Sequence, residues 1–198
     1  VSDPALRLAT PDDAAAIRRI YAPYVTETAI TFETAPPSVA ACRERIAETL
    51  PDYPWLVCER DGDVVGYASA GPIRAYGAFE WAVESTVYVT ESAQRRGIGR
   101  ALYEALLALL DRQGYVVVYA VVTLPNEASV ALHESLGFEH EGTFSGMGYK
   151  HGAWHDVGWW SYALGERPAD PDPPRPLTAL RGREAWNEVL GSLDAPAE

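Results

Sequence analysis

Residues 92–110, "SAQRRGIGRALYEALLALL", gather Arg95, Arg96 and Arg100 around Gly97 and Gly99 at the head of a strongly helical run. Glycines there let the backbone turn tightly and present bare N–H groups, and a helix start adds unpaired N–H groups and a positive dipole end. With forked guanidinium donors around it, such a turn can hold a phosphate. The other reading is a solvated basic helix start in which the glycines only turn the chain. The stretch is not a nucleotide-triphosphate loop, since no Gly-Lys-Ser/Thr follows, and it lacks the three spaced glycines of a dinucleotide fold. The local positive charge stands against a net charge of -12 for the whole chain.

Just upstream, "WAVESTVYV" carries Glu84 between Trp81, Val83 and Val87. Apolar flanks desolvate a carboxylate and raise its pKa toward the range useful to a general base. An exposed acid on a strand face is the alternative. His140, His151 and His155 lack acidic or thiol partners at ligand spacing, so no metal is expected. Cys42 and Cys58 read as buried free thiols rather than a disulfide framework.

The elements that must position these residues follow from the pattern. A strand "LRLAT" leads to a helix with Thr10 as N-cap, Pro11 at its first position and Asp12 and Asp13 at its positive end; Pro23 disturbs it. Residues "ETAITFETAPP" read as loop, and Ser38 opens a second helix stopped by Pro51. Two strands joined at Asp61-Gly62 form a hairpin. The loop "IRAYGAF", the Glu84 strand, the glycine-headed helix, an apolar strand over 115–122, the helix "NEASVALHESLG" and two aromatic-rich strands over 138–149 and 154–164 complete the domain. The apolar strand belongs in the middle of a sheet covered on both faces. The order predicts an α/β sandwich with a mixed central sheet. Residues 165–198 change composition, to a proline-rich linker or surface arm and then "REAWNEVLGSL", a possible short helix docking through Trp186 and Leu190.

Gln94 to Gly99 resembles the Q/R-x-x-G-x-G/A signature of the GCN5-related N-acetyltransferases (GNAT), and "NEASVALHESLGF" resembles that family's second signature. "TFET", "YPWLV", "VESTVYV", "QRRGIG", "LPN..SV.LHE.LGF" and "GYKHG.WHDVG" are similar to the blocks of its phosphinothricin and methionine sulfoximine N-acetyltransferase branch, over residues 6–164. The resemblance implies an α/β/α fold with a mixed, mostly antiparallel sheet splayed at the cofactor site. It implies acetyl-CoA as cosubstrate, its diphosphate held by Arg95, Arg96, Gly97, Ile98, Gly99 and Arg100 and its arm met by Asn126. A splayed, bulged strand at Val87, Tyr88 and Val89 pairs the pantetheine arm. The family's base carboxylate falls at Glu84, and His133 falls where the wider superfamily often carries a Tyr that protonates the leaving thiolate. Imidazole can donate or shuttle a proton near neutrality, or can simply pack under the cofactor.

The loop with Arg74, Ala75 and Tyr76 borders the acceptor pocket, and Phe32 walls it. Arg74 suits an acidic acceptor, since guanidinium pairs a carboxylate or phosphinate in a fork. Herbicide-acetylating relatives tend to carry a second basic residue where Tyr76 stands, which favours a less charged amino-acid analogue here. The expectation is direct acetyl transfer to the α-amine of a small amino acid or analogue in a cytoplasmic homodimer. The rivals are a peptide N-terminus or polyamine as acceptor, and a non-catalytic acyl-CoA sensor. The acidic balance argues against nucleic acid as partner, no apolar run is long enough to cross a membrane, and the first residues lack a secretion-signal pattern.

Overall fold

The computed structural model describes residues 4–180. The chain runs β1 (Ala5–Leu8), α1 (Ala14–Glu27), α2 (Val39–Thr49), β2 (Trp55–Arg60), β3 (Asp63–Pro72), β4 (Ala82–Val89), α3 (Ile98–Gln113), β5 (Val117–Leu124), α4 (Glu127–Leu136), β6 (Glu139–Lys150) and β7 (Ala153–Ala163). One seven-stranded sheet has the order β1-β2-β3-β4-β5-β7-β6. Every neighbouring pair is antiparallel except β4 with β5. The fold is a mixed α/β layer structure, with α3 and α4 on one face of the sheet and α1 and α2 on the other.

Local chemistry explains the element ends. The Asp13 carboxylate accepts from the Thr10 backbone N–H at 2.7 Å and from Arg7 at 2.8 Å, so it closes the capping box of the 3-10 turn Pro11–Asp13, whose N-cap is Thr10, and ties that entry to α1 onto β1. The Arg7 guanidinium holds that carboxyl below its ordinary range. Ser38 Oγ accepts from the Ala41 N–H at 3.1 Å, the N-cap expected of it. Asp61 and Gly62, at φ 52° and 83°, form a two-residue turn with both φ positive, which matches the twist of the strands it joins. Pro23 lies inside α1, which continues past it to Glu27. Burial of Ile17, Ile20, Tyr21 and Val25 holds the helix together across the missing N–H.

β5 is central, and Val118, Ala120 and Val122 join the larger core with Leu102, Leu106, Leu109 and Leu110 of α3. Of the aromatics on β7, Trp160 is core, whereas Trp154 stands 69% exposed. Cys42 and Cys58 are buried free thiols, and burial pushes Cys58 up to about 11. No helix among the described residues is long and apolar enough to cross a membrane.

Residues 165–180 do not hang free of the domain. Leu177 is fully buried in the cluster formed by α1, α2 and the sheet, and Leu180 is buried as well. Backbone bonds run from Arg175 N–H to Gln113 O and from Leu177 N–H to Asp52 O, and Gln113 Nε2 donates to Asp52 O and Arg175 O. This part of the proline-rich stretch is an arm closing the lower core. The predicted helix with Trp186 and Leu190 lies outside the described residues.

Candidate functional site

The site begins where two strands part. β4 and β5 pair only from Ala82↔Val117 to Ser85↔Ala120. Beyond that point β4 continues on β3 to Val89, while β5 continues on β7 to Leu124. The edges of Thr86–Val89 and Val121–Leu124 therefore open away from each other. β4 itself carries no bulge, contrary to expectation: its register with β3 is unbroken from Gly66↔Val89 to Pro72↔Val83. Loss of the β5 partner is enough to free one edge of the strand.

A cleft of about 550 Å³ lies over this opening, between β4, the head of α3 and α4. Of the residues expected to hold the coenzyme, Val87, Tyr88, Val89, Arg95, Gly97, Ile98, Gly99, Arg100 and Asn126 all line it. Arg96 is exposed and does not. Tyr24, Ile30 and the α4 face with Ala128, Ser129 and Leu132 also line the cleft, and sequence reasoning had left them out. The Tyr24 hydroxyl donates to Val89 O at 2.5 Å and accepts from Gln94 Nε2 at 2.9 Å. It thereby joins the strand end to the loop.

The two glycines differ in role. Gly97, at φ 78°, is the left-handed cap of α3, a conformation costly for any residue with a Cβ. The first bond inside the helix runs from Ala101 N–H to Gly97 O at 3.0 Å, leaving the N–H groups of Ile98, Gly99 and Arg100 without helical partners at the cleft. Gly99 is ordinary helix, and its missing side chain lets Leu132 of α4 approach; a Cβ there would stand 3.2 Å from Leu132 Cδ2. Arg100 is partly committed, bonding Glu104 at 3.3 Å and Ser135 Oγ at 2.8 Å across to α4.

Below the opening a second cavity, of about 50 Å³, leads to Ser85, Tyr103 and His133. That volume admits a few water molecules. His133 is buried, with Nδ1 at 2.7 Å from Ser129 O and Nε2 at 2.7 Å from the Tyr103 hydroxyl. A carbonyl can only accept, so Nδ1 carries the proton, and Tyr103 donates to Nε2 of a neutral ring. Burial lowers the imidazole pKa, which keeps it neutral at pH 7. Ser85 Oγ donates to Tyr119 O at 3.0 Å and lies 3.2 Å from the Tyr103 oxygen. His133 therefore meets the cavity as one end of a hydrogen-bonded pair with Tyr103 rather than as a free acid. Nothing in the helical run "ALYEALLALL" distinguishes Tyr103 from a packing aromatic.

Glu84 lies one residue before the parting, in register with Gly71 and Tyr119. It is half-buried, and burial raises its pKa. Side chains alternate along a strand, so Glu84 shares a face with Thr86, bonded to Ser69 at 3.0 Å, and with Tyr88, which packs edge-on to Tyr21 and Tyr24. Ser85 and its Tyr103–His133 partners occupy the other face. The carboxylate and the imidazole thus flank the strand from opposite sides at the mouth of the opening.

The predicted acceptor residues are not gathered into one pocket. Arg74, Ala75 and Tyr76 are exposed in the loop after β3, beside the Glu84 end of the sheet. Phe32 instead packs on the β6–β7 hairpin, over Gly148 and tilted toward His155 at 6.4 Å. The cavity on the Thr86–Tyr88 face, about 180 Å³, is lined by Tyr21, Glu33, Arg45, Trp55, Ser69 and their neighbours. Glu33 and Arg45 pair at 2.7 Å at its edge. Among the described residues no cluster of three or more His, Cys, Asp or Glu could hold a metal ion.

Residues 6–159 match the family of acetyltransferase (GNAT) domains. The chain is 45% identical over 175 residues to the phosphinothricin N-acetyltransferase of Streptomyces viridochromogenes, covering 88% of this chain and 95% of that protein. It is 37% identical over 168 residues to the L-methionine sulfoximine/L-methionine sulfone acetyltransferase of Salmonella typhimurium, covering 83% and 96%. Among solved structures, that of a phosphinothricin acetyltransferase from Sinorhizobium meliloti in complex with AcCoA superimposes with a TM-score of 0.82 at 34% identity, over 87% of this chain and 94% of that one.

Proposed function

Because this chain belongs to the GNAT acetyltransferase family, we propose that it moves the acetyl group of acetyl-CoA directly onto the α-amine of a small amino acid or analogue, of the phosphinothricin or methionine sulfoximine/sulfone kind. The observation that carries this reading is the parting of β4 from β5 beyond Ser85, opening onto the left-handed Gly97 cap of α3. One end of the cleft offers unpaired N–H groups to a diphosphate, and the other offers a free strand edge to a pantetheine arm. A relative crystallised with AcCoA and relatives named for amino-acid analogues support the substrates.

In this reading Glu84, its pKa raised by burial, takes the proton that the attacking ammonium must lose. Backbone N–H groups along Val87–Val89 polarise the thioester carbonyl. The leaving thiolate takes up one of the two protons that the amine nitrogen loses, carried by water in the small cavity, which the Tyr103 oxygen can hold while its O–H donates to neutral His133. His133 then acts by positioning Tyr103 and gives up no proton. Arg74, exposed beside the Glu84 end, is the clamp for an acceptor carboxylate, and Arg95 and Arg100 steady the diphosphate.

The protein works as a homodimer in this proposal. Phe144, Met147, Tyr149 and Trp154 stand 58%, 58%, 59% and 69% exposed on one hairpin, with the Tyr149 and Trp154 rings 5.2 Å apart, and large exposed apolar side chains on one element suit an interaction surface. A second copy covering it also closes the open acceptor side. The test is thiol release from acetyl-CoA with a panel of amino acids, their sulfoximine, sulfone and phosphinate analogues, peptides and polyamines. Turnover confined to the amino-acid class is expected. Coenzyme binding with no turnover on any acceptor would move the assignment to a sensor.

A further inference from the structure

Lys150 stands at the end of β6, only 7% exposed. Its ammonium donates to the backbone carbonyl of Thr31 at 2.6 Å, in the loop between α1 and α2. The carboxylate that acts on it is that of Glu33 in the same loop. Burying an ammonium is costly unless hydrogen bonds and charge offset it, and a Met-like chain would fill the space without that cost. The bond is also directional, since it fixes one carbonyl of a loop against the turn of a distant hairpin.

One further hydrogen bond reaches the same loop from the same turn, and another braces the turn itself. His151 Nε2 donates to Thr28 O at 3.1 Å, and His155 Nε2 bonds Lys150 O at 3.0 Å, steadying the turn from within. The Phe32 ring lies so close over Gly148 that a side chain there would collide with it. The loop so held spans the site. Ile30 lines both the coenzyme cleft and the small cavity below it. The Thr31 hydroxyl bonds Tyr21 at 2.7 Å, and Glu33 borders the cavity over Thr86 and Tyr88.

We propose that Lys150 is a positioning residue for the acceptor, latching the 28–33 loop onto the β6–β7 turn so that Ile30, Thr31 and Glu33 form a fixed wall across the mouth of the opening. The inference rests on the acetyl-transfer reading only for its kinetic readout. Lys150 touches neither reacting group; it acts through Thr31.

Lys150→Met keeps the volume and removes the bond. The expected result is a rise in acceptor KM on the order of tenfold, with kcat and coenzyme KM within about twofold, since the N–H groups at the head of α3 are untouched. Amide hydrogen exchange read without substrate should quicken about tenfold across residues 28–33 and stay unchanged in α3. His151→Ala, at an exposed turn position, should move the same two readouts in the same direction by about two- to threefold, and it carries the test if Lys150→Met does not fold. Unchanged exchange over 28–33 in the folded variants, or equal rises in acceptor and coenzyme KM, would overturn the latch. If no acceptor is turned over by the unaltered protein, the acetyl-transfer reading fails while the exchange experiment still decides the latch.

Discussion

Replacing Gly97 by Val tests the anion cradle with magnitudes that the structure sets. Gly97 has φ 78°, and a Cβ there would meet no protein atom within 4 Å. The fold therefore loses only the backbone penalty, about 1–2 kcal/mol for a side chain in the left-handed region and somewhat more for a β-branched one. For a domain of this size that is a fall in Tm of roughly 2–8 °C. The ligand loses more. Either the cap relaxes and swings its N–H groups off the phosphates, or the new methyls stand in the cleft. A hydrogen bond to a charged group contributes about 1.5–3 kcal/mol, so losing one weakens coenzyme A by roughly 10- to 150-fold, and losing two by roughly 150- to 20,000-fold. Isothermal titration with coenzyme A, paired with calorimetric melting, separates the two effects. Arg96→Ala is the control: Arg96 does not line the cleft, and its loss should change Kd by less than about threefold. A Gly97→Val protein that melts as predicted yet binds coenzyme A with unchanged Kd would refute the cradle.

Other outcomes follow from the same geometry. Burial raises the Glu84 pKa, so the acid limb of kcat/KM should lie above the ordinary carboxylate range and disappear in Glu84→Gln; an unaltered pH–rate profile removes Glu84 as base. The sign for stability is opposite to that of a salt-bridged acid. Ionising Glu84 costs the folded state, so Glu84→Gln should be the more stable protein at neutral pH, with the difference vanishing below the unfolded carboxylate range near pH 4. His133, its pKa lowered by burial, should show the neutral Nδ1–H tautomer by 15N NMR at pH 7.5, and an imidazolium signal there would contradict the Tyr103 bond as drawn. Its contribution to stability is full above the unfolded pKa near 6.5 and is lost as pH falls toward the folded value. Leu177→Ala should cost about 2–4 kcal/mol and on the order of 5–15 °C in Tm if residues 165–180 belong to the folded unit; a change under about 0.5 kcal/mol would make them an appendage.

Features encoded within a few neighbouring residues were legible. Asp61-Gly62 specifies a turn because both residues tolerate positive φ, Ser38 caps because its hydroxyl reaches the Ala41 N–H, and Gly97 marks the helix start that everything else faces. The apolar run in β5 announced a central strand because both its faces are covered. Contacts that depend on distant pairing were not legible. The parting of β4 from β5 needs no bulge, only the end of a shared register, and alternation of residue types does not show where two strands separate. Tyr103 lies 30 residues from His133 and looks like one more apolar position of α3. Phe32 was assigned to the acceptor wall with Arg74, yet the space above Gly148 claims its ring. The proline-rich composition after 165 read as surface, and nothing local revealed that Leu177 reaches the core.

A crystal structure with coenzyme A bound decides the central claim most directly. The account predicts the diphosphate on the N–H groups that follow Gly97, and the pantetheine arm along the free edge of Thr86–Val89 facing α4. A coenzyme lodged outside that cleft, or a diphosphate held by side chains with the head of α3 turned to solvent, would contradict it.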